Sequence, residues 1–175
     1  MPQFRIFGTP TLDLLASGIV PVDTPSPDLE RLALIAESDR VTIHLAILSE
    51  PFLGALLDGR KTIESRFSSR RIAPWKAVKK GDIILVASRG SVVHGFVRVE
   101  RVQYYELSEP VLQSLREKYS HEIAADLVTD FWESRSDKNY CTLVWISKYE
   151  KVSDVKFSKR DRRGWVTFDS RPVLH

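Results

Sequence analysis

The chain has 175 residues, 43 % of them hydrophobic, enough to bury one good core and short for two independent ones, since domains usually run about 100 to 200 residues. Its single cysteine, Cys141, excludes an intramolecular disulfide and a cysteine-based zinc cluster, which fits a reducing, cytoplasmic setting. Net charge is only +3, yet between Arg60 and Lys80 eight basic residues stand against one acid, Glu64, so the rest of the chain is net acidic and the positive field is concentrated where a polyanion can sit.

The opening MPQFRIFGTPTLDLLASGIV is interrupted by Gly8, Pro10 and Asp13 and is too short to cross a bilayer, so neither a signal peptide nor a membrane span is expected. Ser26 as N-cap and Pro27 at the first helical position then introduce a short helix striped by Leu29, Leu32, Leu34 and Ile35. Residues 1–40 are read as an N-terminal arm packed on a main domain, residues 41–175. That domain begins with the strand VTIHLAIL. Ser49 and Pro51 open a short helix, PFLGALLD, which Gly59 closes, because the left-handed conformation that ends many helices suits a residue without Cβ.

The stretch Gly59 to Arg66, GRKTIESR, therefore starts at a helix-to-strand turn. Alternation sends Thr62, Glu64 and Arg66 to one face and Ile63 and Ser65 to the other, with Lys61 in the turn free to point either way. The basic loop FSSRRIAPWKAVKKG leads to DIILVAS, an apolar run of strand length. After Arg89-Gly90-Ser91 comes SVVHGFVRVERVQYYEL, in which Val93, Gly95, Val97 and Val99 share one face and His94, Phe96, Arg98 and Glu100 the other. Two helices are expected next, Ser108 to Tyr119 and His121 to Ser134, the second turning Ile123, Leu127 and Phe131 inward. The strand YCTLVWISKYE and the tail KFSKRDRRGWVTF complete the pattern of a small mixed barrel, with Trp165 either closing it or flanking the cleft, closure being preferred.

Gly59, Lys61, Glu64 and Arg66 fit the pattern G-x-K-x-x-E-x-R, which resembles the hallmark of the ASCH family within the PUA-like group. The surrounding order is similar as well: strand, short helix, motif, Arg/Lys loop, K-x-G-D before an apolar strand, then a long strand. The resemblance covers roughly Val41 to Phe168. It implies an α+β chain, a small PUA-like (ASCH) β-barrel with flanking helices and the N-terminal arm, and a cleft beside the motif. It also implies an association with RNA metabolism, including translation coactivation and modified-nucleoside chemistry. The residues themselves leave two readings open. Arg66 can clamp a phosphate while Glu64 orients it or accepts from a base amino group, or Arg66 and Glu64 can form an ion pair tying the strand to the loop.

The family resemblance also brings catalytic readings. Some ASCH proteins are amidohydrolases of N4-acetylcytidine, with a lysine-activated threonine nucleophile and a supporting glutamate. Lys61 matches that lysine, but Glu64 holds the threonine's place, Thr62 lies one alternating step away, and Arg98 replaces the acid, with Glu100 displaced. Other members are a precedent for metal-independent RNA cleavage, for which Lys61, Tyr140 or His94 can move protons. If the protein is an enzyme, Lys61 and Glu64 are the catalytic candidates. No metal and no cofactor is expected: His44, His94, His121 and His175 are scattered, and no zinc spacing or glycine-rich phosphate loop exists. The expectation is an RNA-binding or nucleobase-binding module whose ligand, an RNA or a modified nucleoside, meets Lys61, Glu64, Arg66, Arg70, Arg71 and Trp75. A hydrolase of RNA or of a modified nucleoside, and a protein-interaction module, are the competing classes. Single-stranded or looped RNA is preferred to duplex DNA, because exposed bases stack on aromatics such as Trp75 and no recognition helix is evident.

Overall fold

The computed structural model describes residues 19–21, 27–159 and 163–168. The expected Ser26 cap, most of the N-terminal arm, His175 and part of the KRDRRG tail lie outside the described residues.

Eight strands and three α-helices make up the described fold: β1 Ile19–Pro21, α1 Pro27–Asp39, β2 Ile43–Leu48, α2 Phe52–Leu57, β3 Ile63–Ser68, β4 Ile83–Ser88, β5 Val92–Glu106, α3 Glu109–Ile123, β6 Tyr140–Ile146, β7 Glu150–Lys159 and β8 Trp165–Phe168. Strands β2 and β4 run side by side in parallel, Ile43 opposite Ile83 through Leu48 opposite Ser88. Both are apolar along nearly their whole length and almost wholly buried, as strands covered on both faces must be. Parallel neighbours need a long connection, and here it comprises α2, β3 and the basic loop. The GRKTIESR motif thus sits on a crossover, outside the β2–β4 pair it connects.

Strand β5 is the long bent element on which the sheet turns. Its first half pairs with β4 on one side and β7 on the other, and its second half with β6. Register shifts between Val93 and Gly95 and between Val99 and Arg101 accompany the change of partner, as bulges bend a strand. The expected alternation holds over this first half, where Val93, Gly95, Val97 and Val99 are buried. Gly95 has a steric reason: a Cβ there would lie 2.2 Å from the Glu150 carbonyl oxygen and 2.5 Å from the Tyr149 ring.

Three apolar clusters fill the curve. Leu32 and Ala36 of α1 pack on Ile43, Leu45, Ile83 and Leu85. The opposite face of the same strands, Ala46, Ile84 and Val86, meets Leu53 and Leu56 of α2, Val97, Val144 and Trp165. Under α3, Leu115 and Ile123 cover Ile63, Phe131, Cys141 and Leu143.

The fold class is as expected, α+β with flanking helices, but the barrel is open. Pairing runs β1-β7-β5-β4-β2-β8 with β6 and then β3 branching from β5. Within the described residues β8 pairs with β2 and β3 with β6, so the seam between β3 and β8 carries no ladder. Two expected elements also differ. The helix pattern around His121 continues α3 instead of starting a new helix, and it stops where Ala124 adopts a left-handed φ of 64°. Two short 3-10 turns, Ala125–Leu127 and Glu133–Arg135, follow, leaving Leu127 exposed while Ile123 and Phe131 are buried. The expected last long strand breaks at Ser147 to Tyr149 into β6 and β7, and the WVTF tail becomes β8 against β2.

Gly95→Ala tests the close crossing of β5 by the start of β7. Overpacking of this kind is expected to cost about 2 kcal/mol or more, read as a lowered urea midpoint at unchanged slope.

Candidate nucleic-acid interface

The turn after α2 sets the site. Gly59 closes the helix at φ 79°, and the Lys61 amide donates to the Ala55 carbonyl at 2.8 Å, folding the chain back on the helix. The Lys61 side chain then runs inward and is only 3 % exposed. Its ammonium donates to the carbonyls of Ile63 at 2.8 Å and Ile123 at 2.9 Å, and lies 3.4 Å from Glu64 Oε2. Ile123 ends α3, so this cation occupies the negative end of a helix and supplies a donor to a terminal carbonyl. Thr62 reinforces the junction by donating its amide to Glu122.

Glu64 is 4 % exposed and lies between two cations. Its Oε1 accepts from Arg66 Nε at 2.7 Å. Burial alone would raise its pKa, but the Lys61 and Arg66 charges and their hydrogen bonds outweigh that and hold the carboxyl below its ordinary value. Burial pushes the Lys61 ammonium down from its usual range, against the pull of Glu64.

Arg66 is the member that reaches the surface, with its side chain 23 % exposed. Beyond its bond to Glu64, its Nη2 donates to the Ile47 carbonyl of β2 at 3.1 Å, and its guanidinium carbon lies 5.4 Å from the centre of the Trp165 ring on β8. One side chain of β3 therefore bridges the seam where the sheet does not close. A cleft of ≈ 160 Å³ opens there, lined by Arg66, Ser68, Ile72, Trp75, Tyr140, Thr142, Gly164 and Trp165, among others. Register explains the set: Arg66 faces Thr142 and Ser68 faces Tyr140 across β3 and β6.

The basic loop supplies the outer wall. Trp75 packs on Tyr140 at 4.9 Å and Tyr104 at 5.4 Å between ring centres. Lys76 sits 4.8 Å from the centre of the Tyr104 ring, and Arg71 pairs with Glu106 at 2.9 Å while its guanidinium carbon lies 5.3 Å from the centre of the Tyr140 ring. Arg70, Arg71, Lys76, Lys79 and Lys80 are exposed. Lys61, Glu64 and Arg66 thus converge, with Lys61 and Glu64 inside and Arg66 at the opening; Trp75 lines the cleft, and Arg70 and Arg71 lie on the adjoining loop. His94 is not among the lining residues and faces Asp154. Among the described residues, no group of three or more His, Cys, Asp or Glu could hold a metal ion.

A second buried network holds the other side of the cleft. His44, 0 % exposed, contacts Asp82 Oδ2 through Nε2 at 3.0 Å, and its Nδ1 accepts from the Trp165 indole at 3.3 Å. The same Nδ1 lies 3.0 Å from the Thr167 hydroxyl, so the ring is held on both sides. Asp82 also accepts from the amides of Thr42 and Lys79. Its carboxyl is held below its usual range by these hydrogen bonds, which overcome burial.

No family model matches the sequence, and no curated protein does. Among solved structures, the crystal structure of ASCH from Zymomonas mobilis has this fold with a TM-score of 0.50 at 20 % identity, over 65 % of this chain and 73 % of that one. A mutant of the same protein superposes at 0.51 with 20 % identity, over 65 % and 75 %. The fold is that of an ASCH domain.

Within this ASCH fold, sequence reasoning passed over Thr142 and Gly164, and of the two places open to Trp165 the structure gives it the one on the cleft. Alternation in YCTLVWI contained part of the signal, because Tyr140 and Thr142 share the face of Arg66 once β3 and β6 are paired. The Trp165 contribution required knowing that the tail returns as β8.

Glu64→Gln is expected to lower stability at neutral pH by about 3 kcal/mol, leaving Lys61 without its anion. The depressed folded pKa of Glu64 means that its contribution is present above the unfolded value and lost as pH falls through the folded one. Urea unfolding should therefore show the wild type losing stability on acidification below about 4.5, the ordinary value, more steeply than Glu64→Gln.

Proposed function

We propose that this protein is an RNA-binding or nucleobase-binding module that takes single-stranded or looped RNA at the cleft between β3 and β8. The observation that carries the reading is the pairing of a fixed cation with aromatic walls. Arg66 is held by Glu64 and the Ile47 carbonyl, and Trp75, Tyr140 and Trp165 surround the space before it. Exposed Arg70, Arg71, Lys76, Lys79 and Lys80 extend the positive surface along one loop, which suits a strand of phosphates passing a base pocket.

Proton-transfer chemistry has less support. A general base needs a free lone pair within reach of its substrate, whereas the Lys61 nitrogen is buried and directed at two carbonyls and a carboxylate. Glu64 is likewise occupied by its two cations. A cytoplasmic RNA is the partner this reading favours.

Binding of a labelled single-stranded RNA should weaken steeply with salt. Arg66→Ala is expected to lose at least about tenfold in affinity, and Trp75→Ala to lose about 1 to 3 kcal/mol, the value of stacking one base. The RNA should remain intact through long incubation on a denaturing gel. Fragments that accumulate with time and disappear in Lys61→Ala would replace this reading with a nuclease.

A further inference from the structure

We infer that the cleft selects a base with a keto edge, guanine ahead of uracil, in single-stranded RNA; this rests on the RNA-binding reading above and adds the choice of base. The basis is a guanidinium fixed at the cleft wall, a group that donates and cannot accept.

Among the described residues Arg66 makes its hydrogen bonds through Nε and Nη2; Nη1 runs beside Gly164, where a Cβ would stand 3.0 Å from it. Thr142, opposite Arg66 in register, lines the same cleft and is only 2 % exposed; its hydroxyl can either donate or accept. The carboxylates nearest the guanidinium, and the carbonyls around it, are engaged. Both Glu64 oxygens face Lys61 and Arg66, and Glu106 at the loop is held by Arg71. The carbonyl of Ile47 accepts from Arg66, that of Ile72 from the Trp75 amide, that of Pro74 from the Ala77 amide and that of Gly164 from the Ile47 amide.

An amino edge, as in adenine or cytosine, would bring hydrogens against the hydrogens of Arg66 and leave it only the wall hydroxyls to donate to. A keto edge brings lone pairs. Guanine presents two adjacent acceptors, O6 and N7, the pair that a guanidinium reads best, whereas uracil presents single carbonyls. The guanidinium is also fixed before the ligand arrives, by Glu64, the Ile47 carbonyl and the Trp165 ring, so little side-chain freedom is lost on binding. The space of ≈ 160 Å³ suits one base, with Trp75 and Tyr140 as stacking partners and Ile72, 59 % exposed, at the rim.

A phosphate oxygen shares the acceptor chemistry, so the test separates the two. Short oligoadenylates carrying one central G, U, A, C or abasic site are titrated against the full chain by fluorescence anisotropy at low salt. The central G is expected to bind about tenfold more tightly than A or C, with U between and the abasic strand weakest. Arg66→Lys, which keeps the charge and loses the fork, should abolish this order while retaining salt-dependent binding, and the isosteric Thr142→Val, which removes an acceptor open to an amino edge, should leave G first. Equal affinity for all four bases overturns the inference and leaves RNA binding standing. So does a preference for A or C, an abasic strand that binds as well as G, or an order that survives Arg66→Lys. Absence of binding by every strand removes the RNA reading itself, and the inference with it.

Discussion

Glu64 is a carboxylate inside a protein, and the structure around the cleft depends on how it is neutralised. Two cations flank it, Lys61 from the turn before β3 and Arg66 two residues further along the same strand. A buried charge is tolerated only when paired and hydrogen-bonded, and here each oxygen has its own cation. The Lys61–Glu64 pair is sealed and neutral. Arg66 is then the surplus charge of the triad, and it is the member that reaches solvent. The same arrangement joins three elements: Lys61 holds the end of α3, Glu64 is on β3, and Arg66 reaches across to β2 and β8.

That reach matters because the sheet is open. Hydrogen-bonded closure between β3 and β8 would have filled the seam with backbone ladder and left no room for a ligand. With the seam open, a guanidinium spans it instead, hydrogen-bonded to Glu64 and to the Ile47 carbonyl and partly exposed at the opening. A side chain in this position both holds the edges of the fold and forms the wall of the cleft.

Much of this was legible in the sequence, for identifiable reasons. Short motif spacing and the αL preference of Gly59 placed GRKTIESR at a helix-to-strand turn, and strict alternation put Glu64 and Arg66 on one face. The valines of β5 declared their buried face because apolar burial follows the period of two. The direction of Lys61 was not legible, since a turn residue points wherever tertiary acceptors lie, and its acceptor Ile123 is far away in sequence. The end of α3 was also hidden. HEIAADLVTDFWES has helical periodicity, and only the left-handed Ala124, a conformation few residue types advertise, shows where the helix stops. The open seam is a property of register and twist across several strands, which local pattern does not carry.

The K-x-G-D turn shows how far the support of the cleft extends. Asp82 gathers the amides of Thr42 and Lys79 and the ring of His44, so it fixes both the turn before β4 and a histidine on β2. His44 Nδ1 in turn accepts from the Trp165 indole, which sets the ring beneath Arg66. Each contact positions the next, Asp82 the His44 ring and His44 the indole. A chain of buried polar contacts thus runs from a turn at the start of β4 to the guanidinium at the opening, and every buried group in it is satisfied, which is the condition under which such networks rigidify a site. The position of Arg66 is determined from both sides, by Glu64 along its own strand and by Asp82 through two rings.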